Sequence, residues 1–352
     1  MSSVDLSMES PLAIASRVAG LLQAGRREST YKLATLMALI DFSLESTSES
    51  DGTLPVPISE VVHRMVVYYW PQARPFHEGG SLRQTKTGAS IPDRVSIVRR
   101  QLAQDGVRSP EAARESAHPA YLRLVASLRL TVAQQPLTHL QTVLPRGGAV
   151  IRNDFLFDAS GFRKKMTQAE LAAADPLRLR PGVAAALGEA APLLKAFIRS
   201  AWTADVVRLN REVLEDEDLE GFLFSEPRLS LPRLRDPLVE LQRGRCFYCN
   251  RPLRAVHLDH VLPWSLVPIN GVANLVASDP VCNADKSATV PARIHVDHAL
   301  ARDNLPEVAA ESGLPVLLAR TRSAARGVFT TLPPGSPLWL EPHRYLPHTI
   351  TQ

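Results

Sequence analysis

The chain opens with apolar residues spaced three and four apart. PLAIASRVAGLLQA at 11–24 reads as a short amphipathic helix. YKLATLMALIDFSLE repeats the spacing through Leu33, Leu36, Met37, Ile40 and Leu44, with Ser29 or Thr30 as its N-cap. A polar loop over 46–53 follows, and Ser59 then caps EVVHRMVVYYW, which Pro71 ends. Tyr68, Tyr69 and Trp70 read as packing residues, with stacking on nucleic-acid bases as the competing role. Beyond a loop over 71–92, the pattern predicts a helix in AYLRLVASLRLTVAQ opened by Pro119. A short strand in FLFD at 155–158 comes next, then a capping box at Thr167 and Glu170. Residues 182–214 read as helical around Pro192, the acidic run 212–220 as solvated surface, and SEPRLSLPRLRDP as hinge-like. Near residue 255 the character changes. Val256, Leu258, Val261 and Leu262 are β-prone and predict a strand over 255–262, with Gly271 in the loop that follows. Asp279-Pro280 marks a turn, and a helix from about Val281 sets Asn283 and Lys286 on one face. The tail reads as helices over 305–311 and 315–326, then an irregular proline-rich stretch.

These elements predict an α+β protein in three parts: a mainly helical domain over 1–230, a small domain over 231–300, and a helical or irregular extension over 301–352. Composition narrows the class. Apolar residues make up 45% and charged residues 22%, ordinary values for a soluble protein. No apolar run approaches the roughly 20 residues that span a bilayer, which argues against a membrane protein. The start, MSSVDLSMES, lacks the basic and apolar regions of a secretory signal. All three cysteines fall between 246 and 282, which argues against a disulfide framework and for a reducing, cytoplasmic setting. The net charge is only +4, with arginine far outnumbering lysine among the 40 basic residues. That suits bidentate phosphate contacts without establishing them. No GxxxxGK[ST] occurs, so no nucleotide cofactor is evident.

The chemistry concentrates in CFYCNRPLRAVHLDHVLPWSLVPINGVANLVASDPVCNADKSATVP. Cys246 and Cys249 form a CxxC pair; His257, Asp259 and His260 follow in HLDH, then Asn274, then Cys282, Asn283 and Lys286 in CNADK. Asp259-His260, Pro263-Trp264-Ser265, Asn274-Leu275-Val276, Cys282-Asn283, Lys286-Ser287 and Pro291 lie in the register DHxxPWS…NLV…CNxxKS…P. This stretch of about 45 residues resembles the HNH (ββα-metal) endonucleases, whose nuclease fold is treble-clef-like. The resemblance implies phosphodiester hydrolysis leaving a 3′-hydroxyl and a 5′-phosphate. It makes Asp259 and Asn283 ligands of a catalytic Mg²⁺ or Mn²⁺, a hard cation that takes oxygen donors. His260 is then the general base, as a neutral imidazole can be near pH 7, and Asn274 steadies the loop that holds it. Lys286 and His257 are candidate phosphate contacts, His257 also a candidate third ligand or a half-buried strand histidine. Adjacent strand residues face opposite ways, so Asp259 and His260 converge only near a strand end, which Pro263 favours.

Relatives with two CxxC pairs bind a structural zinc. Here Cys246, Cys249 and Cys282 remain, and Asp279 stands where the fourth cysteine would be; a Cys3Asp Zn²⁺ site and a zinc-free cluster both stay open. The second HxDH, His295 to His298, has no N…CN…K after it and reads as helix-surface polarity or a spare metal ligand. Arg83 and Lys86, on a loop ahead of a basic helix, are candidate phosphate contacts or a solvated helix face. A helical region before a late HNH module further resembles bacterial endonucleases of restriction and phage defence. The expected partner is therefore DNA, with restraint through target sequence, modification or an activator protein; a homodimer is compatible. An RNase or toxin using the same metal chemistry, and a non-cutting zinc-containing nucleic-acid-binding module, are the alternatives.

Overall fold

The structure is a computed structural model and describes residues 10–23, 28–76, 80–86, 91–143, 151–211, 219–224 and 231–349. The first nine residues, the acidic stretch 212–218 and residues 225–230 of the hinge-like segment lie outside the described residues. The chain is α+β and divides into two compact units, Met1–Asp105 with Ala117–Ser225, and Gly106–Ser116 with Glu226–Gln352. No helix among the described residues is long and apolar enough to cross a membrane.

The first unit contains α1 (Pro11–Gln23), α2 (Tyr31–Glu45), β1 (Leu54–Val56), α3 (Ile58–Gln72) and α4 (Ile91–Gln104). The chain then passes through α5 (Pro110–Glu115), which belongs to the second unit, and returns. The return brings α6 (Pro119–Val132), β2 (Thr142–Val143), β3 (Ile151–Arg152), α7 (Gln168–Ala174), β4 (Leu177–Leu179), α8 (Val183–Glu189), α9 (Ala191–Leu209) and α10 (Leu219–Phe224). Helix α2 is the hub: it packs on α3, α8 and α9 and is buried nearly all round, as a helix apolar on every face must be. Asp41 on α2 is buried with Lys195 of α9 as an ion pair, and Tyr68 donates to its other oxygen at 2.8 Å.

Caps are where the sequence misleads. Thr30 sits at the N-cap of α2 but makes no side-chain cap bond; its hydroxyl donates to Gln84 Oε1 at 2.9 Å. Ser59 does not cap α3. The helix starts at Ile58, whose N–H donates to Asp175 Oδ1 at 2.8 Å, a cap from 117 residues away. Pro71 stays inside α3, and the strand expected at 155–158 reduces to one bridge from Phe157 to Leu179. The capping box at Thr167 and Glu170 forms. Tyr68, Tyr69 and Trp70 are buried, with Tyr69 edge-on to Trp202 at 5.3 Å.

The second unit runs through α11 (Leu231–Leu241), β5 (His257–His260), a 3-10 turn at Val272–Asn274, β6 (Leu275–Ser278), α12 (Pro280–Lys286), α13 (Arg293–Leu300), α14 (Leu305–Ser312) and α15 (Leu318–Thr331). It ends in the antiparallel hairpin of β7 (Pro337–Glu341) and β8 (Arg344–Pro347), where the sequence reads as irregular. The two-stranded sheet β5–β6 is antiparallel, pairing His257 with Ser278 and His260 with Leu275. Two tail segments close on it. Val272 and Ala273 donate to the carbonyls of Pro315 and Val316 at 2.9 and 3.1 Å. That approach is why Gly271 is a glycine: a Cβ there would lie 2.5 Å from Leu317 Cβ. Trp339 of β7, fully buried, packs against Cys246 and Cys282.

Candidate active site and cysteine cluster

Strand β5 presents His257 and Asp259 on one face, two residues apart; α12 presents Asn283 and Lys286 on one face, three apart. The two spacings match closely enough for pairwise contact. Asn283 Nδ2 donates to His257 Nδ1 at 3.3 Å, and Lys286 Nζ meets Asp259 Oδ2 at 2.9 Å. The first pair is open to solvent and the second is not. Lys286 is wholly buried; besides Asp259 it donates to the backbone carbonyl of His260 at 2.8 Å. The expectation that Lys286 faces phosphate is therefore corrected: its ammonium ties the Asp259 carboxylate to the strand end. Burial lowers its pKa, and the Asp259 charge opposes that shift. His257 is exposed rather than half-buried.

Tyr248, between the cysteines of the CxxC, donates to the same Asp259 Oδ2 at 2.5 Å. Burial, then the neighbouring Asp259 charge, pushes this phenol well above its ordinary value, so it stays a donor. Both donors use the same oxygen, Oδ2.

His260 closes the strand. Its Nε2 donates to Asn270 Oδ1 at 2.7 Å, and its ring lies 5.4 Å from that of Trp264. A carbonyl oxygen only accepts, so Nε2–H is the donor in this bond. Asn274, fully buried, accepts from Leu262 N–H at 2.8 Å and donates to the carbonyls of Leu262 and Ile269 at 3.2 Å. It pins both ends of the loop that contains Asn270. Sequence reasoning singled out Asn274 but missed Asn270; its one signal was an asparagine before Gly271 in the loop between His260 and Asn274.

The Sγ atoms of Cys246, Cys249 and Cys282 lie within 4.8 Å of one another. A tetrahedral zinc at about 2.3 Å from each thiolate fits that spacing. Asp279 does not join them. Its carboxylate caps α12 by accepting from Val281 N–H at 2.9 Å, while its own N–H donates to Cys246 Sγ at 3.2 Å. Burial, with Cys246 alongside, raises the Cys282 thiol well above its ordinary pKa; a bound cation reverses that preference. The second HxDH is structural. His295 is buried on α13 and its Nε2 donates to Leu340 O at 2.7 Å, while His298 stacks on Phe247 at 4.8 Å. Arg83 and Lys86 are exposed in the first unit.

No curated protein and no solved structure matches the chain. One family model does, over residues 12–223, described as a domain of unknown function (DUF8808). The match ends before the first cysteine, so the HLDH and CNADK residues lie outside it. It covers more than half of the chain, and the protein belongs to the DUF8808 family.

Proposed function

We propose that the second unit is a metal-dependent endonuclease of the HNH kind, hydrolysing DNA phosphodiester bonds in restriction or phage defence. The observation that supports this reading best is the histidine at the end of β5. It is oriented by a buried carboxamide and stands one residue from a carboxylate held against α12, the helix that also carries Asn283. A histidine fixed in orientation through a ring nitrogen is the arrangement general-base catalysis needs. His260 is buried, so in this reading its ring meets a water and not the nucleotide. In the proposed step a water loses its proton to the His260 imidazole as its oxygen attacks phosphorus. The bond to the 3′ oxygen breaks, and that oxygen is protonated from solvent.

Asp259 and Asn283 would hold Mg²⁺ or Mn²⁺, which neutralises charge on the phosphate when bound. Lys286 and Tyr248 position Asp259; Asn274 and Asn270 position His260. The three cysteines would hold a structural Zn²⁺.

The test is nicking of supercoiled plasmid by the purified chain in Mg²⁺, Mn²⁺ or EDTA, with a structured RNA in parallel. Metal-dependent nicking is expected, reduced about 10²–10⁴-fold by His260→Ala without a change in circular dichroism. Equal cutting by that variant removes His260 from the mechanism, and RNA cleavage alone assigns the metal chemistry to an RNase.

A further inference from the structure

The first unit contains a cleft of about 390 Å³ lined by Arg83, Thr85, Lys86, Arg208, Leu209 and Arg211. Among the described residues that line it, four of six are cations and none is an acid. Arg83, Lys86 and Arg211 are exposed. Arg208 is half-buried and meets Asp205 of its own helix at 3.2 Å.

The cations come from segments far apart in sequence, and the fold fastens those segments together. Asn210, buried just past the end of α9, accepts from Arg83 N–H at 2.8 Å and donates to the carbonyls of Arg83 and Val206 at 2.9 and 2.7 Å. On the other side, Thr30 N–H donates to Gln84 O at 3.0 Å and Lys86 N–H to Glu28 O at 2.9 Å, around the bridge between Ser29 and Thr85. Gln84 turns inward, and its Oε1 accepts from Thr30 Oγ1 and Trp202 Nε1, both at 2.9 Å. The segment 83–86 thus alternates an anchored inward glutamine with outward cations. Cations that line one cleft and are held on a fixed backbone gain when an anion fills the space between them.

We propose that this cleft binds backbone phosphates of a polynucleotide and is a docking site that the DUF8808 domain provides. Arg83 and Lys86 supply one wall; Arg208 and Arg211, which sequence alone does not connect to them, supply the other. Arginine's planar fork suits phosphate oxygens. The identity of the ligand as nucleic acid rests on the nuclease reading; the cleft as an anion site does not.

The test uses the full chain in EDTA, where binding is read without cutting. A fluorescent 30-base-pair duplex is titrated at several salt concentrations and followed by polarisation. Arg83→Ala, Lys86→Ala and Arg211→Ala, combined, keep the backbone bonds to Asn210 and are expected to leave the melting temperature unchanged. The slope of log K against log salt is expected to become shallower by about 0.9 for each phosphate no longer neutralised, about 2.7 for the triple variant. Arg100→Ala with Arg123→Ala, exposed elsewhere in the unit, is expected to keep the wild-type slope. A triple variant with wild-type slope and affinity overturns the proposal, as does a wild-type chain that binds no duplex. Displacement of the duplex by inorganic phosphate beyond the effect of chloride at equal ionic strength assigns the cleft to a free phosphate and also overturns it. A normal slope difference in a protein that never nicks plasmid retires the nuclease reading and leaves the cleft standing.

Discussion

Lys195 and Arg302 are both cations withdrawn from water, one in each unit, and they are satisfied in different ways. Lys195 reaches a carboxylate, Asp41, inside a bundle whose backbone groups are already paired within helices. Arg302 reaches backbone: it donates to the carbonyls of Ala299, Leu275, Val272 and Ala273 at 2.9–3.0 Å. Lys286 and Asn274 do the same for His260, Leu262 and Ile269. The reason lies in the secondary structure. A buried carbonyl needs a donor, and the second unit's short elements, two-stranded sheets and 3-10 turn leave carbonyls at their ends that no ladder serves. Side chains take over there, and those same side chains hold the candidate catalytic residues in place. Withdrawal from water pushes the Arg302 guanidinium down to about 10.

The difference is open to mutation. Arg302→Met strands up to three carbonyls, Val272 O keeping the Leu275 N–H, and is expected to cost about 3–5 kcal/mol, read by urea unfolding, with no second substitution able to restore it. Lys195→Met leaves Asp41 buried and unpaired and is expected to cost about 3–5 kcal/mol. Adding Asp41→Leu and Tyr68→Phe removes the stranded groups and is expected to recover most of that loss. A failure to recover would put the Lys195 pair in the same class as Arg302 and erase the contrast.

Metal content gives a smaller effect confined to one unit. The chain is expected to carry about one zinc, lost in Cys282→Ser. Its removal is expected to destabilise the second unit by about 2.7 kcal/mol relative to protein held at a hundredfold excess over Kd, with the first unit's transition unmoved. Metal analysis and calorimetry check this; a metal-free protein with an unchanged melt leaves the three thiols as a packed apolar cluster.

The smallest effect is in pH. Burial lowers the pKa of His295, the Leu340 carbonyl partly offsetting it, with His298 and Lys286 also lowering it. The unfolded state therefore binds more protons below about 6.5, and stability present above that pH falls as the solution is acidified. Between pH 7.5 and 5.5 this histidine is expected to contribute no more than about 1.4 kcal/mol, and His295→Gln should flatten the profile by that amount.

How much of this was legible beforehand follows the same contrast. The helical hub was readable because Leu33, Leu36, Met37, Ile40 and Leu44 keep a local period, and all five are buried. The strand and helix around HLDH and CNADK were readable for the same reason, to within a few residues. What stayed hidden were contacts whose partners are distant in sequence: the cap from Asp175, the turn of Asn270 toward His260, and the burial of Lys286. A lysine three residues after an asparagine shows which helix face it shares. It does not show whether that face looks at solvent or at a strand. The tail hairpin escaped because its prolines read as irregular, although β7 reaches the cysteines through Trp339.

That tail gives the second unit an order in time. Residues 246–286 leave the ribosome well before the segment at 315–317 that fastens their loop, and before the tryptophan that covers their thiols. During synthesis the candidate catalytic residues are therefore present but unsupported, and they acquire their last wall only when translation reaches Trp339. A nascent chain broken off before these segments carries bare cysteines and a loop without its bonds to residues 315 and 316, so the site waits for residues up to Trp339.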